Sequence, residues 1–203
     1  FTESDKSSFL NEMDVDDFYY QAFVEGGSYY LLYYIYADKK TVSYSQKNLV
    51  QQAEGKSMIY AIESDIHKSQ ISDNYINMLK DSGFKGLIMI ELRKANDNYL
   101  MIEANPRLWG PSQLFVDAGV PIFEIFIQEQ GFEVKENAVN ADKDVFYFWN
   151  GGICEDIRNG KKIAFHDFSQ EKLDAVKQSL LEKEIYLRED TIEIYHIESE
   201  GLC

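Results

Sequence analysis

The sequence predicts an α+β fold, an antiparallel β-sheet with packed helices, and three observations lead there. Apolar or alternating runs rich in Tyr, Ile and Val recur, divided by Gly, Asn and Asp turns, as at 28–36 and 41–46 on either side of Asp38-Lys39-Lys40. Helical spans with terminal signals separate or follow them, at 72–80 ahead of Gly83, 112–118 ahead of Gly119, and 121–130 opening on Pro121. The length, 203 residues of globular composition, suits one domain or one domain with a small appendage.

In chain order, 1–17 is polar and acidic with a short helical candidate at 8–13, and 18–24 reads as a strand stopped by Gly26-Gly27. The run 29–37 (YYLLYYIYA) is so apolar that it reads as a buried strand. Residues 48–57, with Gln51-Gln52-Ala53-Glu54-Gly55-Lys56-Ser57, read as a flexible loop, and Ser72 as the N-cap of the 72–80 helix. Strands at 85–93 and 99–105 flank the turn residues Ala95-Asn96-Asp97-Asn98. The division expected is 1–136 for the main domain and 137–203 for a small α/β appendage. The appendage is expected to hold strands at 145–149 and 162–165, a helix at 169–181 and a closing strand at 191–196.

Twenty basic residues stand against 35 acidic ones, a net charge of −15, which argues against a nucleic-acid groove or an anionic membrane surface as partner. Cys154 and Cys203 make no metal or disulfide framework and read as free thiols in a reducing, cytoplasmic compartment. No apolar run reaches membrane-spanning length and no signal-peptide pattern is present. His67, His166 and His196 are scattered and adjoin no motif, so structural or surface roles are expected. The aromatic run Phe146-Tyr147-Phe148-Trp149 followed by Asn150-Gly151-Gly152 reads as a core strand and a turn, with the border of a substrate pocket as the alternative.

The chemistry concentrates at Met101-Ile102-Glu103-Ala104-Asn105-Pro106-Arg107, with Glu91 twelve positions before Glu103. With the hairpin turn centred near Asp97, facing residues have numbers summing to 194, which sets Glu91 opposite Glu103 and Met89 opposite Asn105. Alternation then sorts Ile88, Ile90, Leu92, Leu100, Ile102 and Ala104 to the core, and Glu91, Arg93, Tyr99, Glu103 and Asn105 to the other face. Like charges directly opposite destabilise a sheet, so a bound Mg²⁺ or Mn²⁺ is one reason for the pair. The competing explanation is a solvated face whose glutamates pair with Arg93 or nearby lysines. Pro106-Arg107, directly after Asn105, aims a rigid fork of donors where phosphate charge would sit.

Glu-Ala-Asn-Pro-Arg at 103–107, with Glu91 closing Gly86-Leu87-Ile88-Met89-Ile90-Glu91, resembles the end of the ATP-grasp fold. That superfamily includes biotin carboxylase, carbamoyl-phosphate synthase and many carboxylate–amine ligases. The resemblance covers about residues 18–130 and implies an ATP-grasp C-terminal subdomain. It implies Glu91, Glu103 and Asn105 as ligands of two Mg²⁺ or Mn²⁺ ions and Arg107 as the catalytic arginine. A second likeness, Tyr20-Gln21-Ala22-Phe23-Val24-Glu25-Gly26-Gly27, is to the hinge strand that holds adenine through backbone groups. It makes Gln21, Ala22, Phe23 and Val24 nucleotide-binding candidates, with Ser28 at the position facing the ribose. Gln21 and Ser28 depart from the acids that relatives often place there. A third, Ser45-Gln46-Lys47 with Glu54-Gly55-Lys56-Ser57, is similar to the family's mobile phosphate-facing loop and adds Gln46 and Lys47.

The resemblance implies a ligase that uses ATP to convert a carboxylate to an acylphosphate and passes the acyl group to an amine or similar nucleophile. Small-molecule carboxylate and amine substrates are the implied partners. About seventeen residues precede the hinge-like strand and lack the family's lysine-bearing lobe, with Lys6 the one basic residue among them. The chain therefore reads as a C-terminal portion, inactive alone, that associates with a missing N-terminal lobe or with another copy. The alternative is a non-catalytic nucleotide- or metal-binding module, or a degenerate homologue.

Overall fold

The computed structural model describes residues 21–134 and 145–199. Among these residues seven strands form one sheet: β1 (Gly27–Ile35), β2 (Thr41–Gln51), β3 (Met58–Glu63), β4 (Gly86–Ala95), β5 (Asn98–Asn105), β6 (Phe146–Phe148) and β7 (Ala164–Phe165). The order is β5-β4-β1-β2-β3-β6, with β7 pairing β2 at Val50 and Gln51, beyond the end of β1, and every pairing is antiparallel. Among the described residues, six helices accompany it: α1 (Gln70–Asp81), α2 (Ser112–Asp117), α3 (Ile122–Glu129), α4 (Asn150–Arg158), α5 (Gln170–Leu181) and α6 (Ile192–Ser199). The architecture is the expected α+β arrangement. Strands from both sides of the expected boundary at 137 enter the one sheet.

Both faces of the central strand are covered, which explains why β1 is apolar without alternation. Leu31, Tyr33 and Ile35 pack with Ile88, Ile90 and Leu92 of β4 under Leu79 of α1. Tyr30, Leu32, Tyr34 and Met89 face the opposite way, under Leu114 and Phe115 of α2 and Ile122 and Ile125 of α3. A third cluster joins Leu49, Val50 and Ile59 to Phe148, Ile153 of α4, and Leu173 and Leu180 of α5. Full burial of side chains this size contributes roughly 1.5–3 kcal/mol each before entropy is set against it.

Several expectations change. Residues 21–24 are not a strand, and the segment is mostly exposed, with Phe23 at 89%. The candidate helix at 8–13, Lys6, the start of the 18–24 run and Cys203 lie outside the described residues. Helix α1 begins at Gln70, two residues before the expected cap. Ser72 is instead buried within its first turn, where its hydroxyl meets the Tyr33 hydroxyl at 2.8 Å.

The 48–57 stretch is ordered rather than loose. β2 continues to Gln51, and a short 3₁₀ turn at Ala53–Gly55 leads into β3, a strand not anticipated from sequence. Asp156 of α4 accepts from the Ala53 N–H at 2.8 Å and Glu155 accepts from Gln52 at 3.1 Å, fixing that turn.

Residues 150–152, expected as a turn, open helix α4. Gly152 is there for close packing, since a Cβ would sit 2.7 Å from the Trp149 ring. The closing strand expected at 191–196 is helix α6, docked on α4 through Arg158, which donates to the Glu198 carbonyl at 2.8 Å. Its alternating residues suit a strand, but its partner surface is a helix, and tertiary context overrides the pattern. Cys154 is disulfide-bonded, so the free-thiol expectation fails for it. No helix among the described residues is long and apolar enough to cross a membrane.

Gly26-Gly27 marks the entry to β1 for a specific reason. Gly26 has φ +139°, and a Cβ there would lie 1.9 Å from the Lys94 carbonyl oxygen at the end of β4. Gly26→Ala is therefore expected to lower stability by about 2–3 kcal/mol through backbone displacement at the β1–β4 edge. Urea denaturation checks this, and an unchanged midpoint would show that the close approach is not a constraint.

Candidate functional site

The β4–β5 hairpin pairs Met89 with Asn105, Ile90 with Ala104 and Glu91 with Glu103, the register expected from the turn position. The register then shifts by one, so that Leu92 faces Met101 and Arg93 faces Leu100. Ile102 is the extra residue of a β-bulge, and the hairpin turn is the two-residue Asn96-Asp97 with Asn96 at φ +55°. One extra residue exchanges the faces beyond it. Tyr99 consequently packs with the core cluster on Leu92, while Leu100 is 45% exposed, the reverse of the expected sorting for both. Ala104 is also exposed, because among the described residues β5 is the edge strand and nothing covers its outer half.

Glu91, Glu103, Asn105 and Arg107 come together in one cavity of about 590 Å³. Gly55, Lys56, Ser57 and Met58 form its opposite wall, Tyr30 and Met89 its floor, and Trp109, Gly110 and Pro111 the turn after β5. Tyr147, Trp149 and Tyr186 from the C-terminal region complete it. Glu91 is only 8% exposed. Burial pushes its carboxyl pKa up, the Arg93 guanidinium opposes that, and the Glu103 charge reinforces it. Tyr30, facing Glu91 across β1 and β4, donates to the carboxylate, and burial plus the Glu91 charge hold its own hydroxyl firmly protonated.

Both carboxylates have protein partners. Arg93 lies 3.3 Å from Glu91, and the Asn105 amide donates to Glu103 at 2.6 Å. Among the described residues no group of three His, Cys, Asp or Glu side chains is placed to hold a metal ion, and the site supplies two carboxylates and the Asn105 amide. Arg107 is exposed, with one bond from its Nη1 to the neighbouring Leu108 carbonyl at 3.3 Å.

The other candidates sit elsewhere. Gln21 donates to the Met101 and Ile102 carbonyls at 3.2 Å, holding the bulge from outside, and none of Gln21, Ala22, Phe23 and Val24 lines the cavity. Gln46 and Lys47 point to opposite faces of β2, as neighbours on a strand must. Gln46 is buried and donates to Asn48 at 2.7 Å, and Asn48 donates to the buried Ser28 at 2.9 Å. The Gln46 Oε1 is buried without a protein partner. Lys47 pairs with Asp167 at 3.1 Å and lies over the Tyr29 ring, away from the cavity.

His166 and Gln51 line no part of the cavity but are tied to it through Arg93, the partner of Glu91. The Arg93 Nη1 reaches His166 Nδ1 at 3.0 Å, His166 Nε2 reaches Gln51 Oε1 at 3.0 Å, and Gln51 Nε2 donates to the Gly55 and Lys56 carbonyls at 2.9 Å each. The only available signal was Gln51 preceding a glycine turn, which says nothing of a histidine 115 positions on.

No family model and no curated protein matches the sequence. Solved structures similar to part of the chain include a biotin carboxylase–beta-gamma-ATP complex from Campylobacter jejuni, at 14% identity and TM-score 0.46 over 61% of this chain and 29% of that one. Others are the phosphoribosylaminoimidazole carboxylase ATPase subunit from Aquifex aeolicus (18%, 0.46, 53% and 34%) and N5-carboxyaminoimidazole ribonucleotide synthetase from Thermus thermophilus (14%, 0.47, 57% and 34%). The chain spans about a third or less of the length of each.

Burial and the adjacent Arg93 charge lower the His166 pKa from 6.5 to about 4. The unfolded chain then takes up this proton first, and stability is lost as pH falls from 6.5 towards 4. Because the ring is partly solvated, the loss from this residue is on the order of 1–2 kcal/mol. His166→Gln, which does not titrate, is expected to lose less stability across that window in urea denaturation. Parallel curves for the two proteins would mean that the imidazole is not held neutral.

Proposed function

We propose that this cavity is the metal- and phosphate-binding side of an ATP-grasp ligase active site. The observation that supports this most is that the Glu-Ala-Asn-Pro-Arg segment and Glu91 meet in one concave site facing Lys56. The reaction class inferred is attack of a substrate carboxylate on the terminal phosphorus of ATP, releasing ADP, followed by attack of an amine or similar nucleophile on the acylphosphate, releasing phosphate.

The donor set fits a hard divalent cation. Its ligating atoms would be carboxylate and amide oxygens, without His or Cys, and a half-open cavity leaves room for water and phosphate oxygens. The buried Glu91, its pKa raised by desolvation, is a carboxylate whose ionised form gains most from a nearby cation. Glu91, Glu103 and Asn105 would hold Mg²⁺ or Mn²⁺, and the ions would neutralise phosphate charge as it shifts during transfer. Arg107 would direct its exposed fork at the transferring phosphoryl group. Lys56 would meet phosphate oxygens from the opposite wall. Tyr30 orients the Glu91 carboxylate by its hydrogen bond.

A second reading, a non-catalytic binding module, is favoured by one observation. Arg93 and Asn105 already give both glutamates an internal partner, so the pair can coexist without a cation.

Titration of Mn²⁺ followed by electron paramagnetic resonance separates the readings. Binding by the unaltered chain, weakened tenfold or more in Glu103→Gln, is expected, and equal affinity in the variant would remove the metal assignment. Arg107→Ala is expected to weaken binding of the Mn²⁺–ATP complex about tenfold or more while leaving free Mn²⁺ binding unchanged. Loss of both together, or of neither, would argue against a phosphate role for Arg107.

A further inference from the structure

We infer that His166 is a positioning residue that couples the carboxylate wall of the cavity to the Gly55–Lys56 wall through a one-way chain of hydrogen bonds. As a statement about ligand binding this rests on the function proposed above, but the coupling itself is a property of the protein alone.

The direction of the chain follows from its ends. Arginine has donors only, and Arg93 Nη1 lies 3.0 Å from His166 Nδ1 and 3.4 Å from Nε2, so the nearer Nδ1 is its acceptor and the ring proton is left to Nε2. That proton is donated to Gln51 Oε1 at 3.0 Å. At the far end the Gly55 and Lys56 carbonyls can only accept, which fixes the Gln51 amide nitrogen towards them at 2.9 Å. The loop end fixes the Gln51 amide, which puts the ring proton on Nε2, and the nearer approach of Arg93 to Nδ1 agrees with that tautomer. The other nitrogen of the Arg93 fork lies 3.3 Å from Glu91, so one guanidinium divides its donors between the carboxylate and the imidazole.

Two consequences follow from that division. While His166 accepts one arm of Arg93, the guanidinium is held back from a two-armed grip on Glu91, and the carboxylate keeps an oxygen for a cation. At the same time Gln51 holds the Gly55 and Lys56 carbonyls, which fixes the backbone that carries Lys56 into the cavity. The neighbouring tethers from Glu155 and Asp156 hold residues 52–53, not the carbonyls at 55–56. Gln51 is 2% exposed, so its amide has no competing water-facing partner.

Hydrogen–deuterium exchange of the backbone, with Mn²⁺ affinity measured alongside, tests this. His166→Leu is expected to speed exchange at 55–57 about tenfold or more, with core strand β1 unchanged, and to weaken Mn²⁺ binding three- to tenfold although His166 is no ligand. His166→Gln, whose amide can accept from Arg93 and donate to Gln51, is expected to restore both to within about threefold. Gln51→Glu keeps the acceptor for His166 but loses the donor to the loop, so exchange at 55–57 should rise as in His166→Leu while Mn²⁺ binding follows the unaltered protein more closely. Unchanged exchange at 55–57 in His166→Leu, or no rescue by Gln, overturns the coupling. If no form binds Mn²⁺ while the exchange pattern holds, the proposed function fails and the coupling stands.

Discussion

The cavity depends on the opposition of Glu91 and Glu103 across β4 and β5, a contact that costs free energy wherever it is not compensated. The fold compensates it unequally. Glu91 is enclosed and receives Tyr30 and Arg93, whereas Glu103 stays exposed on the edge strand and receives the Asn105 amide. A cation approaching from the open side would meet Glu103 first and Glu91 deeper. The bulge at Ile102 preserves this arrangement. It absorbs the one-residue mismatch between the glutamate register and a two-residue turn, and its carbonyl, with that of Met101, is held from outside by Gln21.

The C-terminal residues are part of the same construction. β6 and β7 extend the sheet, α4 fixes the turn at 53–55, His166 reaches Arg93, and Tyr147, Trp149 and Tyr186 wall the cavity. A site assembled from 55–58, 89–111 and 147–186 requires the sheet to close before it exists. Local order around the Glu-Ala-Asn-Pro-Arg segment is thus not enough to form the cavity.

What could be read from the sequence was local. The hairpin register was legible up to Glu91 because alternation and turn position together determine which residues face each other. The bulge was not, since Tyr99, Leu100 and Ile102 are all apolar enough to pass for core. β1 was legible because a run buried on both faces has no other soluble explanation. Helix α6 was misread because Ile192, Ile194 and Tyr195 fit a strand as well as a helix, and the surface that decides between them is α4. His166 was invisible because its meaning lies in partners 73 and 115 positions away, and Asn48 and Gln51 were hidden among ordinary polar residues of a long strand. The hinge-like segment matched a family pattern carried mainly by backbone groups. The structure sets its described residues outside the cavity, along the bulge.

Electrostatics gives the remaining step. A chain of net charge −15 with two carboxylates lining its cavity repels a polyphosphate at long range. Lys56 and Arg107 offset this only at contact, because exposed charges are screened beyond about 8–10 Å in physiological salt. Under the proposed reading, cation and nucleotide must therefore favour each other's binding: the ion removes the repulsion at Glu91 and Glu103, and the phosphates supply the ion's missing oxygens. Linkage makes that coupling the same whichever binds first. Arg93 opposes it, since each arm it gives to Glu91 lowers the gain from the ion. The imidazole of His166, by occupying one arm, sets how strong that opposition can be.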